Sequence, residues 1–391
     1  MKSNRKINFV SINTIGITPI LNWWIRYLGE RKSFKLAVYE KHIKGTYRFN
    51  DIAEETFFKV FENRTLFNSQ NINSQLKGYW GLVKLYFRTF HKPDIHYTID
   101  HQVLAILLIL KKINPFPSKF KLVYHQLELV DIHNLGRLSK MMYNVLLRNT
   151  DEVSFYVFPE INRWRLFNKD VGKEIDSSKF YLLPNTCHVK MTKREKIDSP
   201  QLSFLNKIPK DAFLVGHVGN FGFNHYAEEV FEAINLLDYR KDIYFLFLGY
   251  KGSDLASYVE KHVKNKNVII VDEIQHQYLD HVYQRIDLGM VLYKAIDNNF
   301  AYCAPNKLYE YWANGVPVIG STLPGLKGVF NHDSLGELSD FASPVNIKEL
   351  IVKRLDTSNK SEDDLLNHFA KQLSLDNHLH KLESANQKLY E

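Results

Sequence analysis

The stretch Ala304-Pro-Asn-Lys-Leu-Tyr-Glu-Tyr-Trp-Ala-Asn-Gly-Val-Pro-Val-Ile-Gly320 brings a helix start, a lysine and a carboxylate within little more than one turn. Pro305 lacks an N–H and has a fixed φ, which suits a first helical position, and Gly315 with Pro317 marks a stop. A helix is therefore predicted from Pro305 to Asn314. In such a helix the N–H groups of Asn306, Lys307 and Leu308 lack intrahelical partners, and with the macrodipole they form an anion site to which Lys307 adds a point charge. Glu310 follows Asn306 by four residues and Lys307 by three, so the three share a face. A carboxylate so placed can accept from both hydroxyls of a ribose whose diphosphate rests on the helix end, each charge-assisted bond contributing roughly 1.5–3 kcal/mol. An ordinary amphipathic helix with Lys307 and Glu310 solvated has the same spacing.

Other candidates sit where strands are predicted to end. Gly216-His-Val-Gly-Asn-Phe-Gly222 separates a strand from a helix, so Gly219 and Gly222 either let the backbone approach a diphosphate or make a tight turn without a ligand. The spacing is neither Gly-x-Gly-x-x-Gly nor a P-loop, which argues against a dinucleotide enzyme or an ATPase. The polar side chains of that loop are Asn220, Asn224 and His225. In the first half, Asp100-His101 closes one strand and Tyr124-His-Gln-Leu-Glu128 the next, where a side chain could hydrogen-bond a sugar or an acceptor hydroxyl. His125 and Glu128 rank ahead of Asp100 and His101 for that role, although a lone histidine at a strand end is more often structural. Gly16, after the first strand, would let the backbone come close to a ligand. His378 and His380 form no metal set with nearby carboxylates, and Cys187 and Cys303 lack ligand or redox spacing.

These residues need strands and helices in alternation to position them. Strands are predicted at Ile7–Ile12, Leu36–Tyr39, Ile95–Ile99, Lys121–His125, Glu152–Val157 and Phe180–Thr186. Helices are predicted at Pro19–Leu28, through residues 51–91, over 103–112 and at Leu135–Arg148. The second half alternates more cleanly, with strands at Ala212–Val218, Ile243–Leu248, Val268–Val271, Leu288–Leu292 and Val316–Ile319. Helices between them are predicted at Tyr226–Leu237, Ser253–Lys264 and Tyr278–Arg285. Such alternation indicates α/β domains with parallel sheets covered on both faces. The expected division is a Rossmann-like domain at 1–189, a linker at 190–208 that includes the polar run Lys190 to Ser199, a second Rossmann-like domain at 209–372, and a final helical segment at 373–391.

Size and composition fit that division: 391 residues, 45% hydrophobic and 24% charged, suffice for two globular domains. Met1–Lys6 runs straight into Ile7–Val10 without the apolar core of a signal peptide, so a cytoplasmic location is expected. Val103 to Leu110, the longest apolar run, falls far below the roughly 18–20 residues of a membrane span. The net charge of +8 is uneven, since residues 1–190 hold 29 Lys/Arg against 16 Asp/Glu. Basic, aromatic-rich segments such as Asn22 to Lys35, with Trp23, Trp24 and Tyr27, suit contact with anionic lipid or a lipid-diphosphate acceptor. The alternative is that these rings are core and the lysines solubilise. No helix-turn-helix, RRM or zinc-finger pattern accompanies the charge, which argues against nucleic acid.

Ala304 to Gly320 resembles the C-terminal signature of retaining glycosyltransferases of family 4, in the variant where Pro-x-Lys-Leu-x-Glu-Tyr precedes Gly-x-Pro-Val-Ile. The similarity covers about Phe213 to Phe330 well and the first half in outline. It implies the GT-B fold, two Rossmann-like domains with parallel sheets facing across a cleft, the first binding acceptor and the second a nucleotide-sugar, with the last helix crossing back. Glu310 would then bind the ribose, and backbone near Ile274, in Asp272-Glu-Ile-Gln-His276, would read the base. The family's second glutamate would fall at position 302, where this chain has Tyr302, so Tyr302 or backbone N–H groups would have to contact the donor sugar. The glycine loop lacks the family's usual Arg and Lys, leaving Lys307 more of the diphosphate charge. The implied reaction moves a sugar from a nucleoside-diphosphate donor, a UDP-sugar as first guess, to a growing, lipid-linked bacterial surface glycan. It would proceed with retention, without a metal or other cofactor, on the inner face of the cell membrane. Rival readings are a catalytically silent GT-B subunit and a nucleotide-sugar epimerase.

Overall fold

The computed structural model describes residues 5–12, 15, 18–41, 58–63, 72–190, 199–249, 253–357 and 362–390. Gly16 and most of the polar run after Lys190 lie outside these. The chain divides into two compact units, Met1–Pro184 with His378–Glu391, and Asn185–Asn377.

The first unit is a seven-stranded sheet, every pairing parallel, in the order β3-β2-β1-β4-β5-β6-β7. Its strands are β1 (Lys6–Val10), β2 (Lys35–Lys41), β3 (Phe58–Asn63), β4 (Ile95–Thr98), β5 (Lys121–His125), β6 (Phe155–Phe158) and β7 (Phe180–Leu182). The helices are α1 (Pro19–Arg31), α2 (Ile72–Thr89), α3 (His101–Ile113), α4 (Arg137–Arg148) and α5 (Ile161–Val171). β4 and β6 are buried along their whole length, as expected of parallel strands covered on both faces. α3 buries Val103, Leu104, Leu107 and Leu108 between α2 and α4, in one core with Tyr86, Tyr124 and Leu146.

Two sequence expectations change here. Residues 51–91 are not helical throughout, because Phe58–Asn63 forms edge strand β3, paired with β2 from Leu36↔Phe58 to Lys41↔Asn63. Phe58, Val60 and Phe61 are strand-forming residues, but a run this short shows no clear period. The ring set of α1 is also more internal than an exposed face requires. Trp24 is fully buried, and the Tyr27 hydroxyl donates to Glu383 (3.2 Å). Glu383 lies on the final helix α14 (Leu375–Lys388), where it also takes Arg31 Nε at 3.0 Å and the Ser33 hydroxyl. Tyr390 then accepts from Lys6 N (2.8 Å) and donates to Lys6 O (2.6 Å), closing the start of β1.

The second unit is a six-stranded parallel sheet in the order β10-β9-β8-β11-β12-β13. Its strands are β8 (Phe213–Val218), β9 (Ile243–Leu248), β10 (Val268–Val271), β11 (Leu288–Val291), β12 (Val318–Ser321) and β13 (Gly336–Ser339). The helices are α6 (Ala227–Asn235), α7 (Ser253–His262), α8 (Leu279–Tyr283), α9 (Asn298–Ala301), α10 (Asn306–Ala313), α11 (Pro324–Lys327), α12 (Pro344–Thr357) and α13 (Glu362–His368). The order reverses between β8 and β11, which makes their carboxyl ends the place where open parallel sheets hold ligands.

β8 and β11 pair only at Leu288↔Val215 and Gly289↔Gly216. Beyond that point the buried hydroxyl of Tyr311, on α10, donates to Gly216 O (2.8 Å) and accepts from Val218 N (3.0 Å). It satisfies backbone groups that the diverging ladder leaves open. Gly289 admits the Tyr311 ring, since a Cβ there would lie 2.7 Å from it. Tyr311→Phe removes one partner from each of two buried backbone groups, at roughly 1–3 kcal/mol per group. Urea unfolding should therefore show a midpoint loss with unchanged m-value, and an unchanged midpoint would disprove the bridging role.

Candidate functional site

The site is assembled on α10. Pro305 is the N-cap residue rather than the first helical one and offers no capping side chain, so the Asn306 and Lys307 amides would face a ligand, whereas Leu308 N, expected to be unpaired, donates to Pro305 O (3.3 Å). Ahead of it, the Ala304 carbonyl accepts from Asn185 Nδ2 (2.8 Å), and Gly325 lies so close to Cys303 that a Cβ would come within 2.5 Å of its carbonyl. The helix stops at Asn314, and Gly315 follows with φ +77°, a left-handed turn that glycine enters without strain.

Lys307 points from the first turn toward the carboxyl end of β8. Its Nζ is 3.0 Å from His217 Nε2 and 5.9 Å from the Tyr293 ring centre, and a Cβ on Gly219 would lie 3.4 Å from it. Gly219 has φ +96°, and Gly249, also left-handed, packs on its backbone. His217 Nε2 is also 3.1 Å from Asn220 O, and a neutral imidazole nitrogen serves one of these neighbours at a time, accepting from the ammonium or donating to the carbonyl. Burial, then the Lys307 charge, keeps His217 far below its ordinary value and His225 down at about 4. Both are neutral at pH 7. Burial also pulls Lys307 from 10.5 to about 8. The Glu310 carboxylate one turn on offsets this only in part, so an arriving diphosphate would add counter-charge where the ammonium meets neutral histidines.

Glu310 lies one turn further on. Tyr283, buried on α8, donates to Glu310 Oε2 (2.6 Å) and packs edge-on against Tyr311 (ring centres 4.9 Å apart). Tyr283 thereby fixes the carboxylate's orientation and leaves Oε1 to accept from a ligand.

These features have counterparts in known proteins. Residues 198–373 match the family described as Glycosyl transferases group 1. The second unit carries a group 1 glycosyltransferase domain. The whole chain also overlays on solved structures. A glycosyltransferase from Rickettsia africae has a TM-score of 0.73 at 13% identity, covering 100% of both chains. Anabaena HepE in complex with UDP has a TM-score of 0.69 at 14% identity over 98% of this chain and 100% of that one. WaaG, a glycosyltransferase involved in lipopolysaccharide biosynthesis, has a TM-score of 0.66 at 14% identity over 97% and 98%. At these identities the likeness establishes the α/β, GT-B fold. None of the curated proteins matches the chain.

Within the glycosyltransferase domain the structure gathers Gly219, Lys307 and the backbone of Asn220 at one place, with Asn306, Leu308 and Glu310 on the helix beside them. The side chains of Asn220 and Asn224 are exposed, and Asn224 O instead takes the Lys294 N–H (2.8 Å). Tyr302, half-buried, ends α9 just before the α10 N-terminus. Ile274, in the loop after β10, packs on the core. In the first unit, Asp100 accepts from Ile12 N (2.7 Å), fixing the loop after β1. His125 is fully buried, with Nδ1 bonded to the Tyr97 hydroxyl (2.9 Å) and Nε2 without a partner, and burial holds it neutral at about 3. His101 Nε2 is bonded to the Ser139 hydroxyl (2.8 Å). Glu128 is exposed on a loop whose Leu127 carbonyl is held by Arg163 (2.7 Å).

Tyr283, Tyr293 and His217 were not singled out by sequence. A tyrosine on a short amphipathic helix and a histidine inside a strand carry no spacing signal, and only the packing of α8 and β8 against α10 brings them to the site.

The Lys307 environment has a definite sign with pH. In the free protein the unfolded chain binds the extra proton between pH 8 and 10.5, so wild type should gain stability relative to Lys307→Met as pH rises through that window. Binding of a diphosphate that relies on this charge should weaken over the same rise. Calorimetric titration with UDP at pH 7 and pH 9 checks this, and equal affinities at both would exclude Lys307 as the diphosphate's partner.

Proposed function

We propose that the chain is a retaining, family-4-like glycosyltransferase that moves a sugar from a nucleoside-diphosphate donor, a UDP-sugar in the first instance, to a growing lipid-linked glycan. The observation that carries the reading is the trio on α10: the Asn306 and Lys307 amides with no capping side chain over them, an ammonium over Gly219 whose pKa burial lowers, and a carboxylate oriented by Tyr283. Diphosphate on the helix end would place its ribose one turn away, where Glu310 Oε1 accepts from the hydroxyls. As the bond from the anomeric carbon to the diphosphate breaks, the electron pair goes to the leaving phosphate oxygen, where Lys307 and the helix amides would stabilise the charge; the acceptor hydroxyl oxygen bonds to the anomeric carbon from the same face and its proton passes to that phosphate oxygen. No metal is assigned a part in this step.

Support for the donor comes from Anabaena HepE, whose structures hold UDP and UDP-glucose. Support for a surface-glycan acceptor comes from WaaG and its part in lipopolysaccharide biosynthesis. Among the described residues no helix is long and apolar enough to cross a membrane, so action on a lipid-linked acceptor at the cytoplasmic face would be that of a peripheral protein. Tyr302, directly ahead of the helix, is the residue proposed to contact the donor sugar. Of His125, Asp100 and Glu128, the first-unit candidates for contact with sugar or acceptor, Glu128 is the exposed one, whereas His125 is enclosed and Asp100 holds Ile12 N.

Thermal shift and hydrolysis with UDP-, GDP-, ADP- and CMP-sugars test the reading. One nucleotide class should stabilise wild type, and Glu310→Ala should lose that ligand-induced shift when read against its own, lower baseline melting temperature, since the buried Tyr283 hydroxyl loses its acceptor. Tyr283→Phe should bind about tenfold more weakly, in line with one hydrogen bond to a charged group. Absence of any shift would overturn the donor site, and binding without transfer would favour a silent subunit.

A further inference from the structure

α2, α3 and α4 lie side by side over one core of the first unit, and their sequences contain no Asp or Glu. Their exposed positions instead include Lys84, Arg88, Lys112, Arg137, Lys140 and Arg148. Acidic groups nearby are already engaged: Glu152 pairs with Lys111 (2.8 Å), and Asp131 accepts from His133 N (2.9 Å).

Large apolar side chains stand among these cations. Trp80 (60% exposed) and Phe87 share a face of α2 with Lys84, at the i, i+4, i+7 spacing. Ile113 (68%) ends α3, Phe116 (65%) follows it, and Leu138 and Met141 project from α4. The loop carrying Phe116 is fastened down: Asn114 Nδ2 donates to the Tyr86 hydroxyl (2.9 Å), that hydroxyl meets Ser118 Oγ (2.8 Å), and Lys119 N donates to Phe90 O (2.8 Å). Flanked by Pro115 and Pro117, the ring is held in solvent by a rigid loop rather than left there by a loose one. Isolated exposed apolar residues are ordinary, but rings and aliphatic chains interleaved with cations across three neighbouring helices mark an interaction face.

We propose that the outer face of α2, α3 and α4, with the Phe116 loop, docks on an anionic lipid bilayer. Charge complementarity selects that occupant. A face with six exposed cations and no acid on its helices would repel a second copy of itself, whereas it matches a negatively charged headgroup layer into which Trp80, Phe87 and Phe116 would insert. The assignment gives the membrane-facing part of the proposed function a surface different from the Trp24 segment of α1, whose rings and cations are partly committed internally. It does not depend on the donor site.

Sedimentation of the full chain with vesicles, no donor present, tests it. The protein should pellet with phosphatidylcholine vesicles containing phosphatidylglycerol and not with phosphatidylcholine alone, and high salt should release it. K84E/R88E/K112E should weaken binding by on the order of a hundredfold or more, at about 1 kcal/mol for each cation lost. F87S/F116S should weaken it at least about tenfold, with unchanged circular dichroism because both side chains are exposed. Brominated lipid should quench wild type more than Trp80→Phe. No binding, equal binding to neutral vesicles, or variants that bind as wild type would each overturn the proposal. So would a dimer in sedimentation equilibrium that F87S/F116S abolishes.

Discussion

The second unit depends on how a parallel sheet is parted at the point where its strand order reverses. β8 and β11 share only two register pairs, and the backbone beyond them would be buried and unpaired without an outside partner. The Tyr311 hydroxyl supplies that partner, using its donor on Gly216 O and its acceptor capacity on Val218 N. Buried backbone groups must be satisfied, so the helix that brings Tyr311 is bound to the sheet at the carboxyl end of its switch point, where open parallel sheets hold ligands. The consequence is positional precision for everything else on α10.

Lys307 and Glu310 inherit that precision. They precede Tyr311 by four residues and one residue, so fixing the tyrosine fixes the azimuth of the helix and with it both charges. The second anchor is Trp312, whose Nε1 donates to Leu335 O (2.8 Å). Tyr283 links the two functions, packing on Tyr311 with its ring and holding Glu310 with its hydroxyl. The side chains that pack α10 on the sheet therefore also orient the candidate carboxylate, so the buried face of α10 sets the geometry of its exposed one.

Charge is arranged differently in the two units. The second places Lys307, its pKa lowered by burial and partly restored by Glu310, beside neutral His217 and His225. The first spreads its cations over the outside of three helices, where they are solvated and act on a surface rather than on a point. The net charge of +8 comes from the first half, with 29 Lys/Arg against 16 Asp/Glu, whereas Lys307 is a local feature in a half with no net positive charge.

Alternation of apolar strands and amphipathic helices determined the α/β class, because parallel strands covered on both faces read as unbroken apolar runs; β9 and β10 occupy the very residues that pattern predicts. The Pro305-to-Gly315 helix was equally legible, since proline and glycine act through local φ preferences that need no tertiary partner. β3 was not legible, because an edge strand of six residues is defined by the neighbour it pairs with. Nor was the Tyr283–Glu310 bond, which joins residues on separate helices. The burial of Trp24 against the exposure of Trp80 was decided the same way. Indole rings have one chemistry in sequence, and only the packing of α14 and the sheet around α1 makes one of them core and leaves the other on the surface.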